Sequence, residues 1–319
     1  MTTDGIGLIA ARPLLDGSLD VTFRLLPGDR PLVAAGESVV AGTPIAERLR
    51  DPRLTELAIP AGSLPMVGRR VAEGELLFEW RGRWRVATGD MTEPIETPVA
   101  GIVRDVRSGS AIVISASGRS MHGIVALGGP THGRLRLVGG GDYDIRAGSL
   151  DVSMAGAILV VGSRLDAETL TRARAMGVRG IIVAGLASKE RRDFGGSERR
   201  QRAALHRLPP FAVLVLEGAL RRPLAGPLMD VVAALVGQEV AIVQDPPALV
   251  FDTPGVDVPR PSPDRVRVRS GSLVGQEGTW LGPLGPRRFG GGVHLEAGSV
   301  RFTDGHTLAI PIGDLERFT

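Results

Sequence analysis

The residue best placed for chemistry is Glu217. It follows Phe211-Ala-Val-Leu-Val-Leu216, an unbroken apolar run, and precedes Gly218. A carboxylate at the end of a buried strand can bind a hydroxyl or act as a general base. Ser163 and Asp245 each stand just after a similar run. Open α/β sheets hold ligands outside the carboxyl ends of their strands. Ser163, Glu217 and Asp245 are therefore the candidate ligand-binding residues. The competing, structural role for Glu217 is to cap the following segment or pair with Arg221 or Arg222, and it is the favoured one.

Other chemistries are closed off. The chain has no cysteine, which removes disulfides, thiolate zinc sites and cysteine nucleophiles. Of its 38 basic residues, all but Lys189 are arginine. Lys189 follows Ser188 rather than glycine, so there is no phosphate loop of the Walker A type. The histidines are His122, His132, His206, His294 and His306, and no two stand at i, i+4. No Gly-x-Ser-x-Gly elbow is present. No catalytic residue, metal ligand or cofactor is assigned.

One segment is charged enough to bind. Residues 187–208 hold Lys189, Arg191, Arg192, Arg199, Arg200, Arg202 and Arg207 against Glu190, Asp193 and Glu198. The six arginines are the candidates for contact with nucleic acid or an acidic partner. The bland alternative is a solvated crossover. Phe194 is the single aromatic there, which gives little basis for base stacking. The high pI of about 10.3 at a net charge of +3 adds nothing. Arginine does not titrate below about pH 12, so a small excess holds the value up.

These candidates need elements to position them. Residues 156–185 and 210–245 each read as a Val/Ile-rich run, a helix-period segment, a glycine and a second run, which is the βαβ pattern. In the second, Leu228, Val231, Val232, Leu235 and Val236 fall on one helical face. Pro227 suits the first helical position, and Gly237 the left-handed cap. In the first, Asp166 can cap, Glu168 complements the dipole and Gly177 closes. The flanking runs scarcely alternate, as strands covered on both faces do not. The expectation is a small, mostly parallel sheet. Before it, Gly128-Gly-Pro-Thr-His-Gly133 and Gly139-Gly-Gly-Asp142 bracket the alternating 134–138 and read as hairpin turns.

Residues 1–150 read as all-β. Within them Ala35-Gly-Glu-Ser-Val-Val-Ala-Gly-Thr-Pro-Ile-Ala46 and Ile95-Glu-Thr-Pro-Val-Ala-Gly-Ile-Val-Arg-Asp-Val106 resemble the two halves of a biotinyl/lipoyl-like barrel-sandwich hybrid, in reversed order. The carrier lysine of that family has no counterpart here, so the resemblance implies no covalent biotin or lipoate. Residues 252–263 are proline-rich and read as a linker. Residues 264–319 resemble a KOW-type SH3-like barrel through Gly271, Gly275-Gln-Glu-Gly278 and the closing Asp314-Leu-Glu316. That family implies binding of nucleic acid or of a transcription or translation protein.

The expected class is thus multidomain α+β. It comprises an all-β barrel-sandwich-like region over 1–150, a central α/β domain of two βαβ units over 151–251, a linker over 252–263 and an SH3-like barrel over 264–319. The expected function is a non-enzymatic modular binding or scaffold protein acting on a protein complex. The alternatives are an RNA- or DNA-associated factor, and a small-ligand sensor or enzyme with its site near Glu217. No run approaches the roughly 20 apolar residues of a membrane span, and the start lacks a signal peptide's basic residues. The cytoplasm is the expected location.

Overall fold

The computed structural model describes residues 9–10, 14–26, 28–49, 53–60, 76–80, 83–88, 92–107, 109–138, 147–162, 165–204, 209–219, 224, 226–259 and 262–317. The protein is β-rich, with several sheets and three α-helices among these residues. It divides into two compact units.

The larger unit holds Met1–Val21, Ala116–Gln201 and Pro209–Thr319. Its centre is a nine-stranded sheet. Strands Thr131–Leu137, Ala157–Val161, Gly180–Gly185 and Ala212–Gly218 run parallel, and every described residue of the middle two is buried. Burial on both faces explains their unbroken Val/Ile runs. Alternate residues serve different cores. Ile158, Val160 and Ile182 pack with Leu228, Val231, Val232 and Leu235 around helix α3 (Gly226–Ala234). Leu159, Val161 and Ile181 pack with Leu170 of helix α1 (Ala167–Ala175) and with Phe194 of helix α2 (Ser188–Ala204).

The local signals act as expected at the helix ends. The Asp166 side chain accepts from the Thr169 N–H at 2.8 Å, and Gly177 and Gly237 adopt φ of 80° and 82°. Val236 departs from expectation. It is 42% exposed because α3 ends two residues earlier and the buried face ends with it.

The sheet is not mostly parallel. Val125–Gly128, Glu239–Gln244, Pro247–Phe251, Arg119–His122 and Leu14–Leu15 all pair antiparallel, and they flank the parallel four. The chain leaving α3 passes three strands and returns as Glu239–Gln244, antiparallel to Thr131–Leu137. The second expected βαβ unit is therefore not a parallel crossover. The periodicity was the same in both units, and nothing local encodes strand direction.

The sheet also curls. Gly123 donates to Pro247 O at 2.9 Å, and the next residue, Ile124, donates to Val215 O at 2.8 Å. Residues 128–131 cross between these two arms, so they are not a hairpin turn. Gly128, at φ 87°, lies so near the 211–212 backbone that a Cβ would sit 2.0 Å from Phe211 O. The second glycine cluster, 139–142, lies outside the described residues.

The proline-rich 252–263 is packed in part, with most of its described residues exposed. Val258 is 4% exposed within the α3-side core, and Arg119 donates to Val256 O at 3.3 Å. After it comes a six-stranded sheet in the spatial order Ile9–Ala10, Leu315–Arg317, Arg265–Val268, Glu277–Arg288, His294–Phe302 and Thr307–Pro311. Its core is Val266, Val268, Val300, Phe302, Ile310 and Leu315, with Trp280 and Leu273 against them.

The smaller unit holds Thr22–Ser115 and Arg202–Leu208. Pro44–Leu49 pairs with Thr92–Glu96 and Arg30–Pro31, and Gly101–Arg107 with Ser38–Val39. The two pieces singled out above are joined backbone to backbone. Gly36 donates to Val103 O at 2.7 Å and Val103 to Glu37 O at 2.8 Å. Gly42 donates to Thr97 O at 2.7 Å and Thr97 to Thr43 O at 3.0 Å. Asp29 is the buried anchor, with Arg48 donating to it through Nε at 3.1 Å and Nη2 at 2.7 Å. Burial raises its carboxyl pKa, but Arg48 and the Leu26 N–H outweigh that and hold it below the usual value.

Candidate functional site

Strand Ala212–Gly218 carries Glu217 to its carboxyl end. There the carboxylate meets the chain itself. Arg267 Nη1 lies 3.0 Å from both Oε1 and Oε2 of Glu217. The same guanidinium reaches Glu316 Oε1 through Nε and Nη2, each at 2.5 Å. The side chains of Arg267, Glu217 and Glu316 are only 3%, 4% and 10% exposed.

The local sequence explains the cluster. In Arg265–Val268, period-two alternation sends Val266 and Val268 into the core of the six-stranded sheet. Arg267 must then face the other way. Its registered antiparallel neighbour is Glu316, which shares that face. A guanidinium presents donors in a rigid planar fork, so one arginine can serve two carboxylates at once. Taking three charges out of water is costly, and close geometry has to offset it. Glu217 Oε1 accepts from Arg267, while Oε2 is buried beside the same guanidinium without a hydrogen bond of its own among the described residues.

A second bridge stands beside it. Glu277 Oε1 accepts from the Gly226 N–H at 2.6 Å, and its Oε2 accepts from Arg265 Nη2 at 2.9 Å. Gly226 opens α3, where the first N–H groups lack helical partners and a negative charge is favoured. A Cβ on Gly226 would lie 2.6 Å from Glu277 Oε2, so glycine permits the approach.

Of the three strand-end candidates, Glu217 and Asp245 are not brought together. Ser163 lies outside the described residues. Asp245 is at the other end of the sheet. Its strand, Glu239–Gln244, runs against Thr131–Leu137, which is itself parallel to Ala157–Val161. A carboxyl end on a reversed strand is an amino end of the sheet. Asp245 opens the tight turn that returns the chain to Pro247–Phe251.

The arginine-rich segment is helical over most of its length, as α2. Arg191, Arg192, Arg199 and Arg200 are exposed. Arg202 lies on the same helix, and Arg207 falls outside the described residues, as do Arg221 and Arg222.

Two features carried no advance signal. Arg174 of α1, which reads in sequence as one more surface arginine, is buried. Its guanidinium stacks 5.1 Å from Phe194 and 4.9 Å from Phe211, and Nη1 donates to Gln201 Oε1 at 2.8 Å. It fastens α1 to α2 beside a shallow cleft lined by Leu170, Asp193 and Ser197. The other is a ribbon. Glu277–Arg288 and His294–Phe302 pair out to Arg288↔His294, whereas Thr307–Pro311 covers only residues 297–301. Beyond Ala297 the sheet is two strands wide. Arg287, Arg288, Val293, His294 and Leu295 are all exposed there, with Val293 at 51% and Leu295 at 42%. Alternation at 293–295 could have flagged a strand, but not that its apolar side faces water.

Among the described residues no three His, Asp or Glu side chains converge as metal ligands would, and no helix is long and apolar enough to cross a membrane. No protein-family model matches the chain, and no curated protein matches it in sequence.

Proposed function

We propose that this chain is a non-enzymatic modular binding protein that acts as a scaffold on a protein complex, with the ribbon over residues 286–296 as a docking element. The observation that carries the reading is the exposure of Val293 and Leu295 on a two-stranded extension. An isolated two-stranded hairpin is marginally stable in water. A covering surface would bury those side chains, and the neighbouring Arg287 and Arg288 suit an interface rim. The strand order of the C-terminal sheet supports the KOW-like resemblance, and the pairing of 36–43 with 97–103 supports the barrel-sandwich one. Neither needs a cofactor. The small-ligand reading is less favoured, because Glu217 lies against Arg267. The nucleic-acid reading keeps one observation in its favour, the exposed arginines of α2.

The test is a photo-reactive amino acid at Val293 in the full chain, irradiated in the cytoplasm of the cells that make it. Discrete protein adducts, absent from a control at exposed Glu239, are the expected result. Adducts to nucleic acid would move the reading to an RNA- or DNA-associated factor. A pattern identical to the control would remove the docking role.

A further inference from the structure

The outward face of α2 has a composition that packing within the molecule does not explain. At about 100° per residue, Lys189, Arg191, Arg192, Arg199 and Arg200 fall within an arc of roughly half the helix, opposite buried Phe194. All five are exposed. Glu190 and Glu198 are half-buried outside that arc, and Glu198 approaches Arg174 at 4.0 Å. Asp193 borders the arc as its nearest exposed carboxylate. Among the described residues none of the five makes an ion pair, and Arg199 turns back only to Gly195 O, at 3.3 Å.

Between the two arginine pairs lie Gly195 and Gly196. Glycine is among the poorest residues for a helix interior. Here no neighbour demands it. A Cβ on Gly195 would meet nothing within 4 Å, and one on Gly196 would make an ordinary 3.6 Å contact with Arg200. The pair instead leaves half-buried helix backbone without side chains, covered only by the turned-back Arg199 and Arg200, with Arg191 and Arg192 on its other side. Eight residues of helix separate these pairs by roughly 12 Å, about the width of the B-DNA major groove. Guanidinium forks match phosphate oxygens. The face has no exposed aromatic on which a single-stranded base would stack.

We infer that the outer face of α2 docks the phosphate backbone of double-stranded DNA, with Arg191 and Arg192 on one strand, Arg199 and Arg200 on the other, and the glycine pair over the groove between them. Contact is to phosphates, so binding has no sequence preference. The inference does not depend on the scaffold reading, since α2 and the ribbon are separate surfaces.

The experiment is fluorescence anisotropy with the full chain and a labelled 20-base-pair duplex across a salt series. Four phosphate contacts predict a log–log slope near −3.6, from about −0.9 per contact. Arg191→Gln with Arg192→Gln, or Arg199→Gln with Arg200→Gln, should each halve the slope and weaken binding at least tenfold. Gly195→Ala with Gly196→Ala keeps every charge and fits the open space, so it should leave the slope unchanged yet weaken binding several-fold. A shuffled duplex should bind equally and the single strand more weakly. Absence of salt-dependent binding would overturn the inference, as would a slope indifferent to the four arginines. Tighter binding of polyglutamate than of duplex at equal salt would show an acidic protein face instead.

Discussion

Arg267 and Arg199 are the same residue in opposite settings. Arg267 is held in a buried fork between two carboxylates at the end of the central sheet, and Arg199 stands in water on α2 with its own helix as nearest partner. Both lie in stretches rich in arginine. What separates them is the neighbour across the fold. Arg267 sits in a strand whose second face had to be covered, and Glu217 and Glu316 come from segments 50 and 49 residues away. Arg199 sits on a helix whose packing need is already met by Phe194. Charge pattern alone therefore says little about which arginines are structural and which are available to a partner.

The largest effect should come from breaking the buried side of that contrast. Arg267→Met leaves two carboxylates facing each other without their cation, and should destabilise the larger unit by about 3–5 kcal/mol. Chemical denaturation would measure it, with amide exchange of Ala212–Gly218 as the local readout. A loss below about 1 kcal/mol would mean that water already solvates the cluster. Arg199→Gln, by contrast, should change stability by less than about 0.5 kcal/mol, as exposed substitutions do.

The smaller unit offers a comparison in which pH is the probe. The carboxyl pKa of Asp29 is held below its usual value, so its contribution is complete above about pH 4 and is lost as pH falls through the depressed pKa. Asp29→Asn should cost about 1–3 kcal/mol at neutral pH and flatten the acid limb of the stability curve. An unchanged acid limb would place the titration elsewhere.

At the exposed end of the contrast the sign reverses. Gly195→Ala and Gly196→Ala should each stabilise α2 by up to about 1 kcal/mol. A destabilising result in circular dichroism melts would reveal a packing role for the glycines that their open surroundings do not suggest.

The same contrast shows what was legible in the sequence. The Val/Ile runs 157–161, 180–185 and 212–216, the Asp166 cap and the Gly177 and Gly237 closures each express a local rule, and each is where it should be. The direction of Glu239–Gln244 was not legible, because an apolar run has the same period in either sense. That error carried Asp245 to the wrong end of the sheet. Arg267 as a partner of Glu217 was not legible either, because it lies 50 residues further on; Arg221 and Arg222 lie outside the described residues. The alternation in Arg265–Val268 did announce a two-faced strand. It could not say that the polar face would meet protein rather than water. The proline-rich 252–263 looked like a spacer by composition, yet Val258 is buried.

The central claim is that the chain itself holds Glu217, at its strand end, through Arg267. A double-mutant cycle with Glu217→Gln, Arg267→Met and the pair, read by chemical denaturation of the full chain, tests it most directly. A direct buried contact predicts a coupling of about 1–3 kcal/mol, with the double variant less damaged than the sum of the singles. Additivity within about 0.5 kcal/mol would contradict that contact and return Glu217 to the ligand-facing role that its position on the strand first suggested.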